Sequence, residues 1–148
     1  MIVIRTDAKL PRTLQRLEGA PLEATRTAMN TARDFLREEA RRNVSKGGSR
    51  GLNVRSGALH RSIRTYMRPT PHGAQLSLGS LFYGLVHNKG MTITAKAAPM
   101  LKYYIPGVGW RQSKSVTLPR KPWADDAAKA LQERFPGMLR QALRQRLS

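Results

Sequence analysis

Residues 21–42 read PLEATRTAMNTARDFLREEARR. Pro21 suits the first turn of a helix, where a missing N–H leaves no bond unmade. Leu22, Met29, Ala32, Phe35, Leu36 and Ala40 then recur at helical spacing, while Arg26, Arg33, Arg37 and Arg41 run down another side. The pattern predicts the longest helix of the chain over Pro21–Arg42, with one apolar stripe that needs a partner layer. Upstream, the β-branched Ile2–Ile4 reads as a short first strand, and Asp7 as the N-cap of a brief helix about Leu10–Leu17 that Gly19 and Pro21 end.

Downstream, residues 43–54 hold three glycines and little to bury, and read as a mobile loop. Thr65–Arg68 and Ala74–Leu78 flank Pro69-Thr70-Pro71-His72-Gly73, which predicts an antiparallel hairpin. Met91–Ala95 alternates like a strand. Tyr103–Ile105 reads as another, with a turn at Pro106–Gly109, and Val116–Leu118 as the strand that closes the sheet. Residues 96–114 mix apolar and basic side chains and suit a projecting arm. Helix returns over Ala124–Phe135 and again over Pro136–Leu147, with Leu139, Leu143 and Leu147 four apart. The expectation is one α+β domain over residues 1–148: a mostly antiparallel sheet packed against a long N-terminal helix, with C-terminal helices and extended loops.

The charge is lopsided. The 148 residues carry a formal net charge of +18, and no Asp or Glu occurs between Ala40 and Ala124. A span stripped of acids cannot neutralise itself, so it suits a polyanion or an acidic partner surface. Arg41, Arg42, Lys46, Arg50 and Arg55 are the candidate cations facing DNA or such a partner. The chain has no cysteine, which excludes a disulfide framework and thiol chemistry. Its N-terminal apolar run is too short for a signal peptide and no segment approaches the roughly 18 apolar residues of a spanning helix, so a soluble protein is expected.

Three segments carry the most pattern. Ser56-Gly57-Ala58-Leu59-His60-Arg61-Ser62-Ile63 reads as a short helix capped at or beside Ser56, with Leu59 and Ile63 on one face against the sheet. No nucleophile elbow surrounds its serines. In Tyr83-Gly84-Leu85-Val86-His87-Asn88-Lys89-Gly90, the pair His87-Asn88 invites comparison with metal-dependent nucleases, but no carboxylate stands near in sequence to complete a metal site. The plainer expectation packs Tyr83, Leu85 and Val86 under the sheet, has His87 hydrogen-bond locally, and gives Gly90 a positive φ. In Leu118-Pro119-Arg120-Lys121-Pro122-Trp123, Pro119 and Pro122 force an extended path and Trp123 anchors it by burying a large ring. Asp125 and Asp126 complement the dipole of the helix that follows.

Taken in order, these segments make the chain resemble the head-tail joining or tail completion (neck) family of long-tailed bacteriophages. That family shows a Ser/Thr-Gly-x-Leu-x-x-Ser-Ile element, a Tyr-Gly/Ala-x-x-x-His-x-Gly-like element and a Pro-x-Arg-Pro-Phe/Trp joint before a terminal helix. Ser56, Gly57, Leu59, Ile63, Tyr83, His87, Gly90, Pro119, Pro122 and Trp123 occupy those positions here, although Lys121 stands where arginine is usual and the spacing within Tyr83–Gly90 is approximate. The resemblance implies a non-enzymatic subunit of the virion neck, without cofactor or metal, assembled in host cytoplasm. It also implies a homo-oligomeric ring of six copies, or twelve, that joins the portal-side connector to the tail tube or its terminator around the DNA channel.

Two other classes fit a basic chain. A dedicated nucleic-acid-binding module is one, although no helix-turn-helix, zinc spacing or aromatic RNP platform is visible and Trp110, Trp123 and Phe82 read as structural. A small nuclease is the other, with His60 or His87 as base and Lys89 or Arg61 as phosphate ligand.

Overall fold

A computed structural model describes residues 2–4, 20–48, 52, 57–70, 73–105 and 107–148. The elements run β1 (Ile2–Ile4), α1 (Ala20–Ser45), α2 (Ala58–Ser62), β2 (Arg64–Thr70), β3 (Gly73–Gly79), α3 (Phe82–Lys89), β4 (Met91–Thr94), β5 (Leu101–Ile105), β6 (Gly109–Ser113), β7 (Ser115–Leu118) and α4 (Trp123–Leu147). The fold is mixed α+β, as the periodicities imply. The brief helix expected about Leu10–Leu17 lies outside the described residues.

The architecture follows from α1, where all the buried residues but Met29 fall on a four-residue ladder: Ala24, Ala28, Ala32, Leu36, Ala40 and Val44. On α4, Ala127, Leu131, Phe135 and Leu139 form a second four-residue ladder. Side chains four apart build the ridges that interdigitate in the commonest class of helix packing, and small ones let the two backbones approach closely. The helices run antiparallel. Arg146 near the end of α4 pairs with Glu23 near the start of α1 at 2.6 Å, while at the other end Asn43 Nδ2 donates to the Trp123 carbonyl at 3.1 Å. Half-buried Phe35 carries the Arg134 guanidinium over its ring, 5.1 Å from the centroid.

Two expectations about the helices change. Leu22 is 67% exposed, so the stripe runs through Ala24 and Ala28 instead. A ladder of alanines is hard to see because each contributes little hydropathy, yet it is what close helix contact requires. The second change is that Ala124–Phe135 and Pro136–Leu147 form one helix, with Pro136 inside it. A proline in a helix interior loses a backbone bond and costs about 3 kcal/mol. Here Pro136 faces solvent, while Phe135, Leu139 and Ala142 on either side of it are buried against the core, and that burial offsets the loss.

β1, β3 and β2 form an antiparallel sheet in that order, with Ile2 opposite Leu78, and Thr65 and Met67 of β2 opposite Leu78 and Leu76 of β3. Leu76 and Leu78 are fully buried against α1, whereas Arg64, Tyr66 and Arg68 project from the other face of β2 to solvent. The proline-rich hairpin is present, its strands running further into the turn than the sequence suggested, to Pro69 opposite Ala74 and Thr70 opposite Gly73.

Val116–Leu118 does not close this sheet. β3 already has a neighbour on each edge, and α3 carries the chain away from it. Among the described residues β7 pairs with β4 alone and β5 with β6 alone, two short antiparallel sheets in succession that together make a ribbon over residues 91–118. The outgoing strand bulges over residues 95–100, while Lys114 alone separates β6 from β7, and Ala95 N–H bonds to the Lys114 carbonyl at 2.9 Å across the gap. Among the described residues of the ribbon none is buried.

Leu36 sits at the centre of the ladder with no exposure. Leu36→Ala is expected to lower the stability of the full chain by about 2–5 kcal/mol, read from urea unfolding by circular dichroism.

Candidate functional site

The three patterned segments converge on Gly84 in α3. A methyl group there would lie 2.6 Å from Leu59 Cδ1 of α2, 2.7 Å from Ser80 Oγ and 3.3 Å from Trp123 Cζ2, so only hydrogen leaves room. Its carbonyl accepts the Trp123 indole N–H at 3.0 Å, and the ring is fully buried. Trp123 thus anchors the crossing as its sequence position implied. Ser62 binds the same region from α2, its hydroxyl accepting the Leu81 N–H at 3.1 Å and donating to the Leu59 carbonyl at 2.7 Å. Leu59 and Ile63 are both buried, on the face their spacing predicted. The residue preceding α2 is Gly57, at φ 70, without a side-chain cap; Ser56 lies outside the described residues.

The start of α4 shows a device the sequence did not signal. Pro122 provides no side-chain cap, so the first N–H groups of the helix need an outside acceptor. Asn88, fully buried at the end of α3, supplies it: its Oδ1 accepts from Ala124 N–H at 2.9 Å and Asp125 N–H at 3.3 Å, and its Nδ2 donates to Asp125 Oδ1 at 3.1 Å. Asp125 Oδ2 in turn holds Arg120 at 2.7 Å. Asp125 and Asp126 do lie in the first turn of α4, as expected for acids at the positive end of a helix dipole. A lone Asn beside a His reads as polar decoration in sequence, and only the fold places it beneath another helix.

The ribbon is rooted in the same joint. Gly90 has φ 72 and stands so close to Arg120 that a Cβ would lie 3.0 Å from its backbone nitrogen. Its N–H bonds back to Val86 at 2.8 Å, ending α3, and the Lys121 N–H donates to the His87 carbonyl at 2.7 Å. Lys121 Nζ also donates to the Gly48 carbonyl, which ties the turn after α1 to the joint. Both ends of the ribbon are therefore clamped while its length stands clear of the core. Residues 43–45 belong to α1 and not to a loop: Val44 is buried, and Leu52 and Val44 bond at 3.0 Å across the glycine turn.

The expected packing of Tyr83 under the sheet does not occur, since it is 42% exposed and meets His87 edge-on at 6.5 Å. Val86 is buried and Leu85 half-buried. Trp110 and Phe82 are not structural: they are 72% and 74% exposed, leaving Trp123 as the one tryptophan that packs in the interior. Among the five candidate cations, Arg41 turns inward to Glu38 at 3.4 Å and the Ile63 carbonyl at 3.5 Å, and Arg42 pairs with Glu39 at 2.8 Å. Lys46 is exposed, while Arg50 and Arg55 lie outside the described residues.

Among the described residues no cluster of three His, Cys, Asp or Glu side chains is placed to hold a metal ion, and no helix is long and apolar enough to cross a membrane. Comparison with known families, curated proteins and solved structures gives no match.

Two measurements probe the joint. Asn88→Ala leaves buried helix N–H groups without an acceptor and is expected to cost about 1–3 kcal/mol in urea unfolding. His87 titrates below its ordinary value of 6.5, because burial and then the Lys121 charge disfavour the imidazolium. The unfolded chain therefore binds a proton more readily, so the stabilisation is complete above 6.5 and is lost as pH falls from there through the lowered folded value. His87→Gln is expected to flatten this segment of the stability-against-pH curve relative to the parent.

Proposed function

We propose that the chain is a structural subunit of the head–tail joint of a long-tailed phage, forming a ring that links the portal-side connector to the tail around the DNA channel. The observation that carries this reading is the convergence of the three motif segments on Gly84. Leu59, Trp123 and Gly84 come from separate parts of the chain, and each occupies a position that the neck-family pattern specifies. That the three segments pack on one another supports reading them together.

The division of labour in the fold supports the same reading. A ring subunit needs a rigid body and elements that reach unlike neighbours. The α1–α4 pair with its sheet supplies the body, and the ribbon over residues 91–118 is the reaching element, clamped at its root and carrying exposed Met91, Ile93, Met100 and Ile105. Ordering such a segment against a neighbour costs little further entropy, because its strands are already paired. The copy number, six or twelve, belongs to the same proposal.

Virions from a phage encoding the chain are expected to contain it at the neck in immunogold images. Deleting its gene should yield filled heads and separate tails. Joined, infectious particles lacking the protein would refute the proposal.

A further inference from the structure

The ribbon's outer segment presents two chemically different faces. In an antiparallel pair, residues directly opposite one another project from the same side. Tyr104 stands opposite Trp110 and Lys102 opposite Gln112, so these four share one face; Leu101, Tyr103, Ile105, Arg111 and Ser113 share the other. All four residues of the first face are exposed. Tyr104 and Trp110 meet edge to face, centroids 5.7 Å apart at 67°, and remain 55% and 72% exposed. Each ring therefore keeps open π surface beside a lysine and an amide.

We propose that this face, Lys102, Tyr104, Trp110 and Gln112, binds single-stranded nucleic acid, with bases stacking on the aromatic pair and Lys102 on the backbone. Charge complementarity points to a polyanion: residues 91–118 hold Lys96, Lys102, Arg111 and Lys114 and no acid. Exposed aromatics within a cationic surface are what sequence-tolerant single-strand binding uses, because every base offers a π face. A duplex keeps those faces stacked away. The same face of a second copy is disfavoured, because residues 91–118 hold only cations and would meet like charge. An acidic protein surface would answer the same charge but brings no planar bases for the two open rings to stack on. The assignment is independent of the neck reading, whose test is the particle.

The chain has two tryptophans, and Trp123 is fully buried with its N–H bonded to Gly84, so quenching by an added ligand reports on Trp110. Titrating the full chain with single-stranded oligo-dT is expected to give saturable quenching, with affinity falling as salt rises at a slope near −0.7 per phosphate contacted. By anisotropy of labelled oligo-dT, Trp110→Ala should bind about 5- to 150-fold more weakly, and Trp110→Phe should retain most of the affinity. The unfolding midpoint by circular dichroism should be unchanged in both, since the residue contributes nothing to the core, and Trp110→Phe keeps an aromatic ring opposite Tyr104. Undiminished binding by Trp110→Ala overturns the proposal. So does absence of binding, or a duplex that binds as tightly as oligo-dT. Equal quenching by poly-glutamate would mark the face as a site for acidic protein, and would overturn it as well.

Discussion

The absence of a side chain at Gly84 is the constraint on which the rest depends. The bare backbone lets Leu59 and Trp123 close on α3 from two directions, and it frees a carbonyl for the indole N–H. With Trp123 fixed, α4 starts where Asn88 can cap it, and its buried ladder falls against that of α1. The other consequence lies at Gly90, where the same short helix ends and the ribbon leaves the body. One position thus sets both the register of the helical layer and the root of the projecting element.

Charge is partitioned along the same line. α1 carries five arginines against four acids, and α4 five cations against three, so the helical layer is close to neutral and laced with ion pairs such as Arg42–Glu39 and Arg146–Glu23. Residues 46–122 hold thirteen cations and no acid. The helical layer therefore comes close to satisfying its own electrostatics, and most of the excess lies in the acid-free stretch that includes the β2–β3 hairpin, the joint and the ribbon. Unpaired strand edges on the ribbon are dangerous in a free protein because they template aggregation, and lysines along an edge discourage that pairing. Lys96, Lys102 and Lys114 supply this repulsion while remaining available to a polyanion.

Legibility in the sequence followed the range of the physics. Helix and strand periodicities, the β2–β3 hairpin and the positive φ of Gly90 are local or nearly so, and each is visible in composition and spacing; the burial of Trp123 is legible from a large ring beside two prolines, but its partner Gly84, 39 residues away, is not. Asn88 as the cap of α4 depends on a contact between residues 36 apart in sequence, which no window along the chain contains. The continuity of α4 through Pro136 was hidden because propensity alone ends a helix there, and the opposing burial comes from α1. Trp110 and Phe82 differ for the reverse reason: large rings tend to be buried, but Trp110 stands on a ribbon with no layer to pack on and Phe82 at the first, exposed position of α3. Among the cations, sequence density pointed to Arg41 and Arg42, yet i,i+3 acids on the same helix engage both.

An isolated two-stranded hairpin is marginal in water, and none of this ribbon's described residues is buried to help it. Its order is borrowed from two sources. Cross-strand pairs contribute along its length, including the Thr92–Thr117 hydroxyl bond at 3.1 Å and the Tyr104–Trp110 contact near the tip. The clamp at Gly90, Arg120 and Lys121 contributes at the base, where closing the two strands costs least because both already belong to the folded joint. Stability must therefore decline from root to tip, with the exposed aromatic pair in the least stable part. That gradient suits an element that meets its partner last: the body folds and presents the ribbon, and the partner supplies the contacts that the ribbon lacks.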